Sequence, residues 1–158
     1  MAGLYRKNVG VVVFKNKKVL LCARADHEDF QWQFPQGGIE ENEDVVAAAK
    51  RELFEETGIK NVLFVSKLPR ALRYDFPKNN KNHFYEGFVG QEQSWVLFQF
   101  CGNDDEINLK IFPECVEFKD FEWVDINEAP KRIVSFKKTV YSKVAEYFAP
   151  IINEVSND

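Results

Sequence analysis

Between Gly37 and Ile59 the chain places three carboxylates, Glu52, Glu55 and Glu56, on one face of a helix, at the end where negative charge is least favourable. Val45, Val46, Ala49 and Leu53 recur at helical spacing, acidic Glu43 and Asp44 suit a helix start, and Gly58 suits the left-handed position just past a helix end. The spacing predicts a helix from about Asp44 to Thr57. Residues three and four apart are neighbours on a helix surface, so the three glutamates converge in its last turn. Glu52 and Glu56 form a like-charge i, i+4 pair, unfavourable by a few tenths of a kcal/mol, roughly. Arg51 is spaced to pair with Glu55, and no other nearby residue in sequence neutralises the group.

A run of charge is most often a solvated helix face. Such a face usually interleaves lysine at i+4 and has no reason to oppose the dipole so consistently. A hard divalent cation resolves the conflict: Mg²⁺ takes oxygen ligands, keeps several waters, and is commonly held by one or two carboxylates together with substrate phosphates.

The pattern is Gly37, five residues, Glu43, seven residues, then Arg51-Glu52-Leu53-x-Glu55-Glu56-x-Gly58-Ile59. It resembles a complete Nudix box, the signature of Mg²⁺-dependent hydrolases of nucleoside diphosphates linked to another moiety. The resemblance implies an α/β (α+β) fold, a Nudix-type α/β/α sandwich with a mixed central sheet. It implies Mg²⁺ as cofactor, with Mn²⁺ able to substitute, and Glu52, Glu55, Glu56 and Arg51 as the catalytic group.

A chain of 158 residues with 45% hydrophobic content can bury one sizeable core, and no Pro/Gly/Ser-rich linker, repeat or low-complexity stretch divides it. The expectation is one domain over 1–158. The first apolar run, Val9 to Phe14, is too short to span a bilayer and is followed by Lys15, Lys17 and Lys18, with no cleavage pattern. Cys22, Cys101 and Cys115 are odd in number and form no CxxC pair, which argues against a disulfide framework or a zinc site. These features predict a soluble, unexported protein of the reducing cytoplasm, with no membrane partner. The net charge of −4 is concentrated in the box, where seven acids face Lys50 and Arg51. Acidity therefore says little against a phosphate-rich substrate, but it argues against a long footprint on a duplex.

Strands are predicted over Val9 to Phe14 and Val19 to Ala23, joined by a Lys/Asn turn, and over Trp32 to Phe34 leading into the box. Further strands are expected at Val62 to Val65, Leu72 to Tyr74, Trp95 to Cys101 and Phe118 to Val124, with a loop at Pro77 to Asn82. Val140, Val144, Phe148 and Ile151 give a last helix its apolar stripe, with a frayed tail after Ile152.

Outside the box, the chain resembles the bacterial RNA pyrophosphohydrolase and dinucleoside polyphosphate hydrolase branch of the family from Tyr5 to Phe148. The resembling blocks include Tyr5-Arg6-Lys7-Asn8-Val9-Gly10, Trp32-Gln33-Phe34-Pro35-Gln36-Gly37-Gly38, Tyr74-Asp75-Phe76-Pro77-Lys78, Gly90-Gln91-Glu92-Gln93-Ser94-Trp95, Val116-Glu117-Phe118 and Val134-Ser135-Phe136-Lys137. By this resemblance Glu117 joins Glu52, Glu55 and Glu56 as a metal ligand, and Phe136 is the ring on which a terminal base stacks. Taken alone, Glu117 is as ordinary as any strand-end carboxylate, and Glu122 competes for its role. Gly37 and Gly38 allow close approach of a phosphate. Arg6, Lys78 and Lys137 are candidate donors to phosphate oxygens, although each alone reads as a surface cation. Tyr74 and Trp95 stand between pocket wall and core, with core favoured for Trp95. Two departures weaken the phosphate and base contacts: Ala25-Asp26 after Arg24, and Glu92 within the Gly-Gln-x-Gln block.

The resulting expectation is Mg²⁺-dependent hydrolysis of a phosphoanhydride, removing pyrophosphate from the 5′-triphosphate end of RNA. The alternative substrate is a dinucleoside polyphosphate such as diadenosine tetra- or pentaphosphate. A Nudix module that binds nucleotides without hydrolysis is the alternative of another class, disfavoured because no box glutamate is missing.

Overall fold

The computed structural model describes residues 3–77 and 87–156. Among the described residues, eight strands form one mixed sheet. They are β1 (Leu4–Lys15), β2 (Lys18–Arg24), β3 (Trp32–Gln33), β4 (Gln36–Gly38), β5 (Val62–Lys67), β6 (Leu72–Asp75), β7 (Phe88–Phe100) and β8 (Phe118–Val124). Helices α1 (Val45–Thr57), α2 (Ala129–Arg132) and α3 (Lys138–Ser156) complete the fold.

The sheet runs β3-β2-β1-β7-β5, with β4 on β1, β6 on β7 and β8 on β2. Among the described residues, only β1 and β7 pair in parallel, Val9 opposite Ser94 and Phe14 opposite Gln99. The Asn16-Lys17 hairpin between β1 and β2 has both residues at positive φ, as a two-residue turn matching strand twist requires.

Side chains alternate across a strand, so β1 feeds two cores. Val9, Val11 and Val13 pack with Ala48, Ala49 and Leu53 of α1. Val12 and Phe14 pack on the other face with Val140, Tyr141, Val144 and Phe148 of α3. Burial on both faces explains the unbroken apolar run of β1. The expected α/β/α sandwich with a mixed sheet is observed.

Several elements exceed their predicted lengths, among them β1, which begins at Leu4 rather than Val9. β7 begins at Phe88 rather than Trp95, because Gln91 and Gln93 are buried strand residues with a polar, loop-like signature. α3 runs past Ile152 to Ser156, through Pro150, with Ile152 rather than Ile151 fully buried on its inner face. Among the described residues, no helix is long and apolar enough to cross a membrane.

Candidate active site

Helix α1 is fixed at both ends. Asp44 caps its start, its carboxylate accepting from the Val46 and Ala47 amides at 3.1 and 3.2 Å. Gly58 ends it at φ 77°, its amide donating to the Phe54 carbonyl at 2.8 Å. With Ala48, Ala49 and Leu53 buried, the adjoining face directs Glu52 and Glu56 toward β4. There the Gln36 amide donates to Glu56 Oε1 at 3.1 Å. Glu56 is 5% exposed. Burial, then the charge of Glu52, pushes its carboxyl well above the ordinary range, against the stabilising Gln36 N–H. Burial also raises Glu52, opposed by Arg51.

Arg51 departs from its expected role. Its Nε and Nη2 donate to both oxygens of Glu43 at 2.8 and 2.9 Å, and its Nη1 donates to Glu52 at 2.8 Å. Glu55 is a looser partner at 3.5 Å. Arg51 Nη2 also reaches the Gly38 carbonyl at 2.9 Å, tying β4 to the helix. Adjacent helix residues do not face one another. The Arg51–Glu52 contact exists because the long guanidinium stem folds over toward Glu43, which holds it from the loop before the helix. This fork holds the Glu43 carboxyl down at about 2. The expectation that nothing nearby but a Glu55 pair neutralises the glutamates is thereby corrected.

Gly37 lies directly against the Glu52 carboxylate, and any Cβ there overlaps it. A Cβ at Gly38 meets the Arg6 guanidinium at 2.6 Å. Both glycines line the cleft that also carries Arg6 and Arg24.

Glu117 precedes β8, anchored where its carbonyl accepts the Ala25 amide at 2.9 Å. Its side chain lines two adjoining clefts together with Glu52 and Glu56. One, of about 250 Å³, carries the guanidiniums of Arg6 and Arg24 and the amides of Asn8, Gln33 and Gln36. The other, of about 410 Å³, is walled by Glu55 and the Phe112–Cys115 turn. Glu122 turns away and pairs with Arg132 at 2.9 Å, which removes it as a rival of Glu117.

Sequence reasoning gave no cleft role to Arg24, Asn8 or Gln36. Asp26, counted as a departure, holds Arg24 through two bonds of 2.9 and 2.6 Å, and Gln33 accepts from it at 3.4 Å. Gln93, buried in β7, donates to both Asn8 and Gln36 side chains at 2.9 Å. The signal was available: Asn8, Gln36 and Gln93 are polar residues inside strand-forming blocks.

The aromatic candidates gather at one edge. Phe136 is 38% exposed and packs tilted on Tyr74, ring centres 5.7 Å apart. Tyr74 belongs to the core beneath it rather than to an open wall, and Trp95 is fully buried. Lys137 is 6% exposed with its ammonium 5.3 Å from the Tyr74 ring. Burial, aided by the charge of Arg24, lowers Lys137 to about 8. Lys78 lies outside the described residues.

Among the described residues, no three His, Cys, Asp or Glu side chains are drawn into a ready metal cage. Arg51 holds Glu52 and the Gln36 amide holds Glu56 instead. The donor set is nevertheless all oxygen, and buried Glu56 lacks a cationic partner of its own among the hydrogen bonds it makes. That chemistry fits a hard divalent ion held by one or two carboxylates and completed by water and phosphate.

A sheet between two helices and a carboxylate cradle at a helix C-terminus fit the frame of a phosphoanhydride hydrolase. The NUDIX domain profile matches residues 4–144, and the chain belongs to the Nudix family, as a pyrophosphohydrolase by class. Nudix hydrolases generally use divalent metal ions. The chain is 39% identical to an RNA pyrophosphohydrolase of Pelagibacter ubique, covering 94% of each. It is 37% identical to one from Bartonella henselae, over 91% of this chain and 90% of that one. Among solved structures, the E. coli dihydroneopterin triphosphate pyrophosphohydrolase superposes with a TM-score of 0.69 at 22% identity, covering 91% of this chain and 99% of its own. A C. elegans Ap4A hydrolase reaches a TM-score of 0.60 at 18% identity, covering 90% and 98%.

Proposed function

We propose that the chain removes pyrophosphate from the 5′-triphosphate end of RNA by Mg²⁺-dependent hydrolysis. The observation that carries this reading is the cleft in which Glu52, Glu56 and Glu117 face Arg6 and Arg24. The curated relatives named RNA pyrophosphohydrolases support the choice of substrate.

Glu52 and Glu56 would hold the metal, with help from Glu55 and Glu117. When bound, the metal neutralises phosphate charge and lowers the pKa of a water molecule. Arg6 and Arg24 bind phosphate oxygens, Lys137 adds a third cation, and Lys78 is assigned the same role. The Gln36 amide and Arg51 fix the two principal carboxylates before substrate arrives. Glu117 borders both clefts and takes the proton from the attacking water, Glu55, which lines the larger cleft alone, being the other candidate. Water adds across the P–O–P bond: its oxygen bonds to one phosphorus as that phosphorus loses its bond to the bridging oxygen, which leaves on the other. Phe136 stacks the terminal base, a contact tolerant of base identity. The three cysteines, all free, suit a reducing cytoplasm.

The test is incubation with 5′-triphosphorylated RNA and Mg²⁺. Conversion to 5′-monophosphorylated RNA supports the reading, and an unchanged triphosphate end overturns it.

A further inference from the structure

The two clefts share three carboxylates yet differ in chemistry. The smaller contains Arg6 and Arg24; the described residues lining the larger include no lysine or arginine. With Glu55 and Glu114 on its wall, the larger cleft repels a phosphate that brings no cation. It accommodates an uncharged group, and its remaining surface is apolar: Phe112, Pro113 and Cys115.

Phe112 is held ready for such a group. Its ring is 46% exposed although it lines a cleft. Phe54 packs nearly perpendicular to that ring, centres 6.1 Å apart at 87°. The turn bearing it is closed by the Cys115 amide on the Phe112 carbonyl at 2.9 Å. Nearby, the Asn108 amide donates to the Thr57 carbonyl at 2.8 Å, binding the incoming segment to the end of α1. A ring on Phe112 therefore has a fixed position relative to Glu52 and Glu56.

We propose that Phe112 is a specificity-determining residue: its face is a stacking platform for a nucleobase on the opposite side of the phosphate chain from Phe136. This rests on the hydrolytic reading above and extends it. A 5′-triphosphate end has no base on its leaving side, so Phe112 is idle there. A substrate with a nucleoside at each end of its phosphates uses both rings. Adenine suits the site, since Glu55 and Glu114 accept hydrogen bonds from an exocyclic amine.

The test compares diadenosine tetraphosphate with 5′-triphosphorylated RNA for the wild type, Phe112→Ala and Phe112→Trp. The expected loss for Phe112→Ala is ~10-fold in kcat/KM on the dinucleotide, the scale of one stacked base, with RNA turnover unchanged. Phe112→Trp retains dinucleotide turnover. Equal losses on both substrates, or none on the dinucleotide, overturn the proposal. If the wild type hydrolyses neither, the hydrolytic reading fails separately. Calorimetric binding of a methylene-bridged diadenosine tetraphosphate then decides for Phe112: weaker binding by Phe112→Ala supports the platform, and equal binding refutes it.

Discussion

The Glu52 carboxylate occupies the space that a side chain on Gly37 would fill. The glycine in β4 and the glutamate in α1 are thus one device, in which a missing Cβ seats a charged group beside the backbone. Gly37→Ala displaces Glu52 while leaving both cores intact. Misplacement of about 1 Å in a catalytic group can lower the rate ~100-fold, and a loss of that order is expected here. Steady-state kinetics across a Mg²⁺ series check it, with the metal requirement shifted to higher concentration.

Glu56→Gln separates stability from function. The folded carboxyl of Glu56 titrates well above its unfolded value, because burial disfavours the anion. Such a group favours the fold fully below its unfolded pKa, and that stability is lost as pH rises through the folded pKa. Without metal, the glutamine variant should melt higher than the wild type at neutral pH, with the gap closing in acid. Its activity should nearly vanish even at saturating Mg²⁺. Melting curves at two pH values and a turnover assay report both effects.

Lys137 shows the opposite sign. Its folded pKa of about 8 lies below the ordinary lysine value near ~10.4. The buried ammonium disfavours the fold below pH 8, and stability recovers as pH rises between those values because the unfolded chain then binds more protons. Lys137→Met should melt higher than the wild type near pH 7, and the difference should shrink toward pH 10.

Arg51 is shared by Glu43 and Glu52, so removing it frees two carboxylates at once. Arg51→Ala should lower both melting temperature and kcat. In a double-mutant cycle with Glu43→Gln, the stability losses should be clearly non-additive, since both changes break the same fork. Additive losses would mean that the fork contributes nothing to the positioning of the helix.

Much of this was legible from local rules. Asp44 and Gly58 mark the ends of α1 because capping is decided within a few residues. β2 and the Val9 to Phe14 part of β1 announce themselves because apolar β-formers are buried there, and β8 through its aromatic β-formers although only Phe118 and Val124 are buried. Other features depend on distant partners. The start of β7 was hidden because Gln91 and Gln93 are polar yet buried, and Gln93 earns its place only beside Asn8 and Gln36. The Glu43–Arg51 fork joins a loop to a helix across eight positions, beyond any helical spacing rule. Nothing local shows that Glu52 packs beside Gly37, which lines the cleft of Arg6 and Arg24. Tyr74 is a core residue because α3 and Phe136 close over it.

Glu52 and Glu56 are together assigned a divalent metal ion. Titration of Mn²⁺ followed by its free-ion electron paramagnetic resonance signal, with Mg²⁺ as competitor, tests this most directly. The wild type should remove Mn²⁺ from solution and release it to Mg²⁺, while Glu52→Gln/Glu56→Gln should leave the free-ion signal intact. Equal Mn²⁺ binding by the two proteins would contradict the assignment.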